Sequence, residues 1–229
     1  MSDGPTITLV AAYHDRAKQW SNTQESLRFW YGDSPSWLKV RIVEDKRSHE
    51  WRNPGVLYNQ ACEGVDTDLI FLTNPENLHV GPVLEKCREV VRDGTYLVFG
   101  CRSLKTVPAS FNDALKDIDA YTDFDKFNGW YQHTKHRMGI LHFASCITKN
   151  DWARVGGFDP AFDEGLDYED IDFATSVAHT PGMNVAATDS PFVAHQAHYR
   201  KPKTEESERL RALNRARYFS KWGTKAFLC

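Results

Sequence analysis

The chain has 229 residues, 41% of them hydrophobic and 13% aromatic, enough for one substantial core. A formal charge of −3 excludes the strongly basic footprint of a dedicated nucleic-acid binder. No apolar run approaches the roughly 20 residues that span a bilayer. The opening "MSDGPTITLVAAYHD" lacks the basic head and long apolar centre of a secretory leader, so a cytoplasmic protein is expected.

Along the chain, "TITLVAAY", "WLKVRIVED", "DLIFLTN" and "TYLVFGCR" are short, apolar and rich in β-branched or aromatic residues. Each reads as a strand buried on both faces. Helices are predicted between them. One covers 15–30, and a second opens at Asn53 as N-cap with Pro54 as first helical residue. A third places Leu84, Cys87, Val90 and Val91 on one face and ends at Gly94. Residues 101–140 are polar, aromatic and weakly periodic, as in an irregular insertion over a pocket. "LHFASCITKNDWARVGGFD" returns to strand, helix and a double-glycine turn, and "NVAATD" and "PFVAH" read as two short strands. Helical spacing through Leu210, Leu213, Tyr218 and Phe219 closes the chain. This alternation implies an α/β domain whose mostly parallel central sheet is flanked by helices. Cys62, Cys87, Cys101, Cys146 and Cys229 form no CxxC pair and read as reduced core cysteines.

In such a sheet, ligands bind at the carboxyl ends of the strands. Those ends carry Tyr13, His14 and Asp15, then Glu44 and Asp45, then Asn74 and Glu76. Three strands thus deliver polar groups to one edge. Further on, seven acidic residues fall between Asp159 and Asp172, interrupted by Phe162, Leu166, Tyr168 and Ile171. The apolar residues fit an anchored helix start better than a solvated loop.

Five landmarks in order, "TLVAAYHDR", "VRIVEDKRS", "NPGVLYNQACEGVDTDLIFLTNPE", "VGGFDPAFDEGLDYEDIDF" and "NRARYFSKWG", resemble those of GT-A fold glycosyltransferases, closest to the family 2 group. The resemblance implies a single Rossmann-like GT-A domain over 1–229. Residues 1–100 would form the nucleotide-sugar-binding half, 101–203 the acceptor and catalytic half, and 204–229 a closing helix and tail. It also implies a nucleotide-diphosphate sugar donor, with UDP favoured, a divalent manganese or magnesium ion, and transfer with inversion.

The resemblance assigns roles residue by residue. Asp170 is the base that takes the acceptor proton, with Glu169 beside it and Asp172 a supporting helix-face residue. Both acids also suit plain pairing with a helix dipole. Glu76 is the principal metal or diphosphate ligand, in Asn74-Pro75-Glu76 where relatives carry Asp-x-Asp. Asn74 would act directly or through water, although "NPEN" also suits a simple turn. His195 is favoured over His198 as a further metal ligand. Glu44 and Asp45 would meet the base and ribose, the alternative being pairing with Arg41 or Lys46. Ala11, Ala12 and Tyr13 would line the nucleotide. Asn59 would point toward it or lie on the helix surface. Arg47 and Arg52 would reach a phosphate or remain surface arginines, and Trp130, Tyr131, His133 and His136 would stack on a sugar or close the core.

The Gln-x-x-Arg-Trp signature of polymer synthases is absent after the base, so transfer of one sugar per encounter is expected. Lys105, Lys116, Lys126, Lys135 and Arg137 are interspersed with acids and form no phosphate track. A glycan or protein acceptor is therefore favoured over a modified nucleobase of DNA. Two alternatives stand: a catalytically impaired sugar- or nucleotide-binding protein, which Asn74 favours, and a nucleotidyltransferase. The latter normally needs a glycine- and basic-rich loop after the first strand, which "AAYHDRAKQW" does not supply.

Overall fold

A computed structural model describes residues 4–47, 53–119, 129–135, 137, 142, 144–198 and 203–226; Arg52, Lys126, His136 and Cys229 lie outside them. In chain order the strands are β1 (Ile7–Tyr13), β2 (Leu38–Glu44), β3 (Leu69–Thr73), β4 (Asn77–Val80), β5 (Thr95–Ser103), β6 (Trp130–Gln132), β7 (Ala144–Thr148) and β8 (Asn184–His195). The helices are α1 (Ala17–Tyr31), α2 (Gly55–Cys62), α3 (Val83–Val90), α4 (Phe111–Asp119), α5 (Lys149–Val155), α6 (Glu169–His179) and α7 (Glu205–Trp222), with a 3-10 turn over Pro160–Glu164.

One sheet runs in the order β2-β1-β3-β7-β5-β8-β4, with β6 paired to β5. It is a mixed sheet: β2, β1 and β3 are parallel, as are β5 and β8, while β7, β4 and β6 run antiparallel to their neighbours. Strand alternation explains why both faces are apolar. Ile7, Leu9, Leu69, Phe71, Leu97 and Phe99 pack one face against Leu27, Val83, Leu84 and Cys87. Val10, Ile70, Leu72, Tyr96 and Val98 pack the other against Tyr58, Ala61, Phe173 and Val177. Cys62, Cys87, Cys101 and Cys146 are buried free thiols, as expected. Among the described residues no helix is long and apolar enough to cross a membrane.

Five local expectations change. Strand β2 is not buried on both faces: it pairs only with β1 at the sheet edge and leaves Val40 47% exposed. Helix α2 starts one residue late, with the Asn53 side chain accepting from the Gly55 amide at 3.0 Å. Helix α3 stops at Val90, and Gly94, at φ +85°, instead turns the chain into β5. Residues 101–140 are more regular than expected, because β5 runs on to Ser103 and α4 forms behind a Ser110–Asp113 capping pair. The two late strands are one, β8, which changes register beside β5 rather than ending.

Direction is what positions the site. β1, β2, β3, β5 and β8 all point the same way, so Tyr13, Glu44, Thr73, Ser103 and His195 end at one edge. Antiparallel β4 begins at that edge, separated from the end of β3 by the three residues Asn74, Pro75 and Glu76.

Candidate active site

The register of β4 against β8 sets Asn77 opposite His195, which carries Glu76 to the strand end. There the Glu76 carbonyl accepts from the Gln196 amide at 3.1 Å. Glu76 Oε1 lies 3.3 Å from His195 Nε2 and 3.5 Å from His198 Nε2. All three ligand atoms fall within 4.8 Å of one another. Burial alone would raise the Glu76 pKa, but the two imidazoles and Arg16 more than offset it and hold the carboxyl below its usual range. Neighbouring ligands on an ion with bonds of ~2.1 Å are about 3 Å apart, so one carboxylate and two imidazoles at this spacing fit a divalent cation. The sequence favours His195 over His198; the structure brings both to Glu76. Asn74 stands beside them, its side-chain oxygen accepting from the buried Tyr58 hydroxyl at 3.0 Å.

The seven acids of 159–172 divide sharply. Asp159 and Asp172 are held by Lys221, Glu164 by Arg217, Asp167 by Arg211 and Asp163 by Arg47. Arg211, Asn214, Arg217 and Lys221 repeat at helical spacing on α7, so one helix face neutralises most of the loop. Asn214 enters it most deeply, donating to the carbonyls of Phe162 and Asp167. Gly165 is needed for this approach, since a Cβ there would lie 2.2 Å from the Asn214 side-chain oxygen. Asp172 is fixed by Lys221 and the Trp222 indole at 2.9 and 2.7 Å.

Glu169 and Asp170 remain without a cationic partner among the described residues. Asp167 and Tyr168 before them both adopt left-handed backbone, φ +59° and +72°, where non-glycine residues are uncommon and functional sites concentrate strain. Burial pushes the Asp170 pKa up to about 6. Burial first, and the neighbouring Asp170 second, push Glu169 well above the carboxylate range. At neutral pH a group at about 6 is ionised, so Asp170 carries a negative charge in a buried setting. Asn53, buried, donates to Glu169 Oε2 at 2.9 Å, while its own carbonyl accepts from Arg47. Asn53→Ala removes that donor from a buried carboxyl; a loss of about 1–3 kcal/mol of stability is expected, measured by urea unfolding.

Neither protein-family models nor curated protein sequences match this chain. Solved structures do. S. aureus TarS has a TM-score of 0.60 at 9% identity, over 93% of this chain and 40% of that one. TarS 1-349 in complex with UDP-GlcNAc scores 0.61 at 10% identity, over 93% and 66%. A mutant of Drosophila β-1,4-galactosyltransferase 7, in complex with manganese, UDP-Gal and xylobiose, scores 0.50 at 12% identity, over 90% and 79%. This is the GT-A glycosyltransferase fold. The chain spans well under half of the first neighbour and about two thirds of the second.

Within the GT-A fold, the residues expected around a nucleotide separate into two sets. Ala11, Ala12 and Tyr13 close β1 between β2 and β3, and the Tyr13 carbonyl accepts from the Asp45 amide at 2.7 Å. Glu44 is exposed and loosely paired with Lys46 at 3.4 Å. Asp45 is buried, with both carboxylate oxygens bound by Arg47, which also reaches Asp163. Arg47 thus ties the end of β2 to the acidic loop through Asp45 and Asp163. The Asn59 side chain donates to the Phe158 carbonyl at 2.7 Å and its oxygen accepts from the Phe158 amide at 2.8 Å, so it staples α2 to the "VGGFD" turn. Trp130 packs on Phe192, and His133 lies between Trp130 and Asp189. Tyr131 abuts the Glu76–His195–His198 corner, its ring centroid 5.0 Å from that of His195.

Asn53, Tyr58 and Arg16 were not singled out as site residues from sequence. Tyr58 connects the two corners: burial, Glu76 and Glu169 together raise its pKa far above the normal range. Nothing local marks it, since it reads as one more apolar residue on α2.

Proposed function

We propose that the protein is a metal-dependent, inverting glycosyltransferase that moves one sugar from a nucleoside-diphosphate sugar to an acceptor hydroxyl. The observation that carries this reading is the pair Glu169–Asp170, without a cationic partner among the described residues at a helix start while the other five acids of the loop are neutralised. A loop built only for architecture has no need of that exception. Asp170 accepts the proton of the acceptor hydroxyl as its oxygen attacks the anomeric carbon; the bond from that carbon to the diphosphate breaks, and attack from the opposite side inverts the centre. Glu169 stands beside it, its carboxyl raised by burial and by the neighbouring Asp170.

Glu76, His195 and His198 would hold the cation, and two imidazoles favour a transition ion such as manganese over magnesium. When bound, it supplies positive charge for the departing diphosphate. The neighbours that carry UDP-GlcNAc or UDP-Gal support a UDP-sugar donor. An acceptor on a glycan or protein follows from the absence of a basic track in the described part of 101–140.

The test is calorimetric titration with UDP, GDP and dTDP, each with and without manganese. Manganese-dependent binding of UDP above the other two is expected; binding of none of them would overturn the transferase reading.

A further inference from the structure

We infer that Arg16 is an anchor for the donor diphosphate, parked on His198 and released when a cation takes that imidazole. The inference rests on the transferase reading above. Arg16 closes the short link from β1 to α1, at the edge where Glu76, His195 and His198 meet, and is half-buried. Its guanidinium lies 3.2 Å from His198 Nδ1 and 3.1 Å from the Asp15 carbonyl. Other cations of this edge have carboxylate partners: Arg47 has Asp45 and Asp163, and Lys46 has Glu44. Arg16 forms no ion pair among the described residues. Its charge nevertheless reaches Glu76.

The contact with His198 fixes that ring's hydrogen. Guanidinium donates and never accepts, so Nδ1 must present its lone pair and Nε2 carries the hydrogen toward Glu76. A cation bound at Nε2 needs that lone pair, which moves the hydrogen to Nδ1 within the same neutral ring. Two donors would then face each other, and Arg16 must leave. The diphosphate held by the same cation is the nearest anion for a planar, forked donor to engage. Arg16 therefore opposes the cation when it arrives alone and assists when cation and diphosphate arrive together.

Arg16→Met keeps the length and apolar stem of the side chain and removes its donors. Three titrations separate the effects: manganese alone, UDP with saturating manganese, and uridine with saturating manganese. The variant is expected to bind manganese alone several-fold more tightly, to bind UDP about tenfold more weakly, and to bind uridine as the wild type does. A residue that merely packs the start of α1 would weaken all three or none. Either result, with the melting temperature recorded as a check on folding, overturns the inference and leaves the transferase reading standing. A wild type that binds no UDP at all overturns both.

Discussion

Asp170→Asn is expected to lower turnover by about a hundred- to ten-thousand-fold while leaving affinity for the donor unchanged. The substitution preserves shape and the hydrogen bond from the Ile171 amide but removes the carboxylate charge at position 170. In the wild type, turnover should rise with pH through about 6, because the base must be ionised and burial has raised Asp170 to that value. The variant should lack this limb. Stability should move in the opposite direction from activity. The folded pKa of Asp170 lies above its unfolded value, so the folded state holds the proton more tightly. The stabilisation this supplies is complete below about pH 4 and is lost as the pH rises through about 6. At neutral pH the ionised side chain thus costs on the order of 3 kcal/mol, and Asn avoids that cost. A melting temperature several degrees higher for the variant at pH 7.5, with no gain at pH 4, would be the thermal signature. Full turnover by Asp170→Asn would assign the base elsewhere.

Much of this arrangement can be read from the chain because its cause is local. Strands β1, β3 and β5 are buried on both faces, and burial writes a continuous apolar run. Strand β2 carries a similar run, "LKVRIVE", yet lies at the edge; neighbours in the sheet, not residues in the strand, decide that difference. Strand β8 reads as two because Thr188, Asp189 and Ser190 interrupt it, and Asp189 is there to bind Thr134 across a long sequence separation. Helix α4 had a legible start in Ser110 and Asp113, outweighed by the polar character of its surroundings. The site divides in the same way. Glu76, Glu169 and Asp170 are recognisable from their order along the chain. Their partners are not: Asn59 meets Phe158 from 99 positions away, and Asn53 meets Glu169 from 116. Arg211, Asn214, Arg217 and Lys221 share one helix face by their spacing, but the reading of this helix rests on its apolar residues, and the acids those side chains meet lie about 50 positions away.

Glu76→Ala is expected to weaken manganese binding by more than ~100-fold, since partners one layer further from a metal already account for 10–100-fold. The argument comes from charge as well as from ligand count. Glu76 is the only carboxylate in the cluster, buried to 6% exposure, and without it two imidazoles would face a dication with no negative charge between them. Glu76→Gln keeps an oxygen at the same place and removes only the charge, so it should retain part of the affinity that alanine loses. His195→Ala and His198→Ala each leave the carboxylate and one imidazole and should fall between these limits. Thermal unfolding provides a readout independent of turnover. A cation at a hundred times its dissociation constant stabilises the wild type by about 2.7 kcal/mol. That manganese-induced rise in melting temperature should vanish in Glu76→Ala and shrink in both histidine variants. If the rise survives intact in Glu76→Ala, the cation sits elsewhere. Glu76 would then be a buried carboxylate that serves only to hold β4 against the end of β8 through His195 and His198.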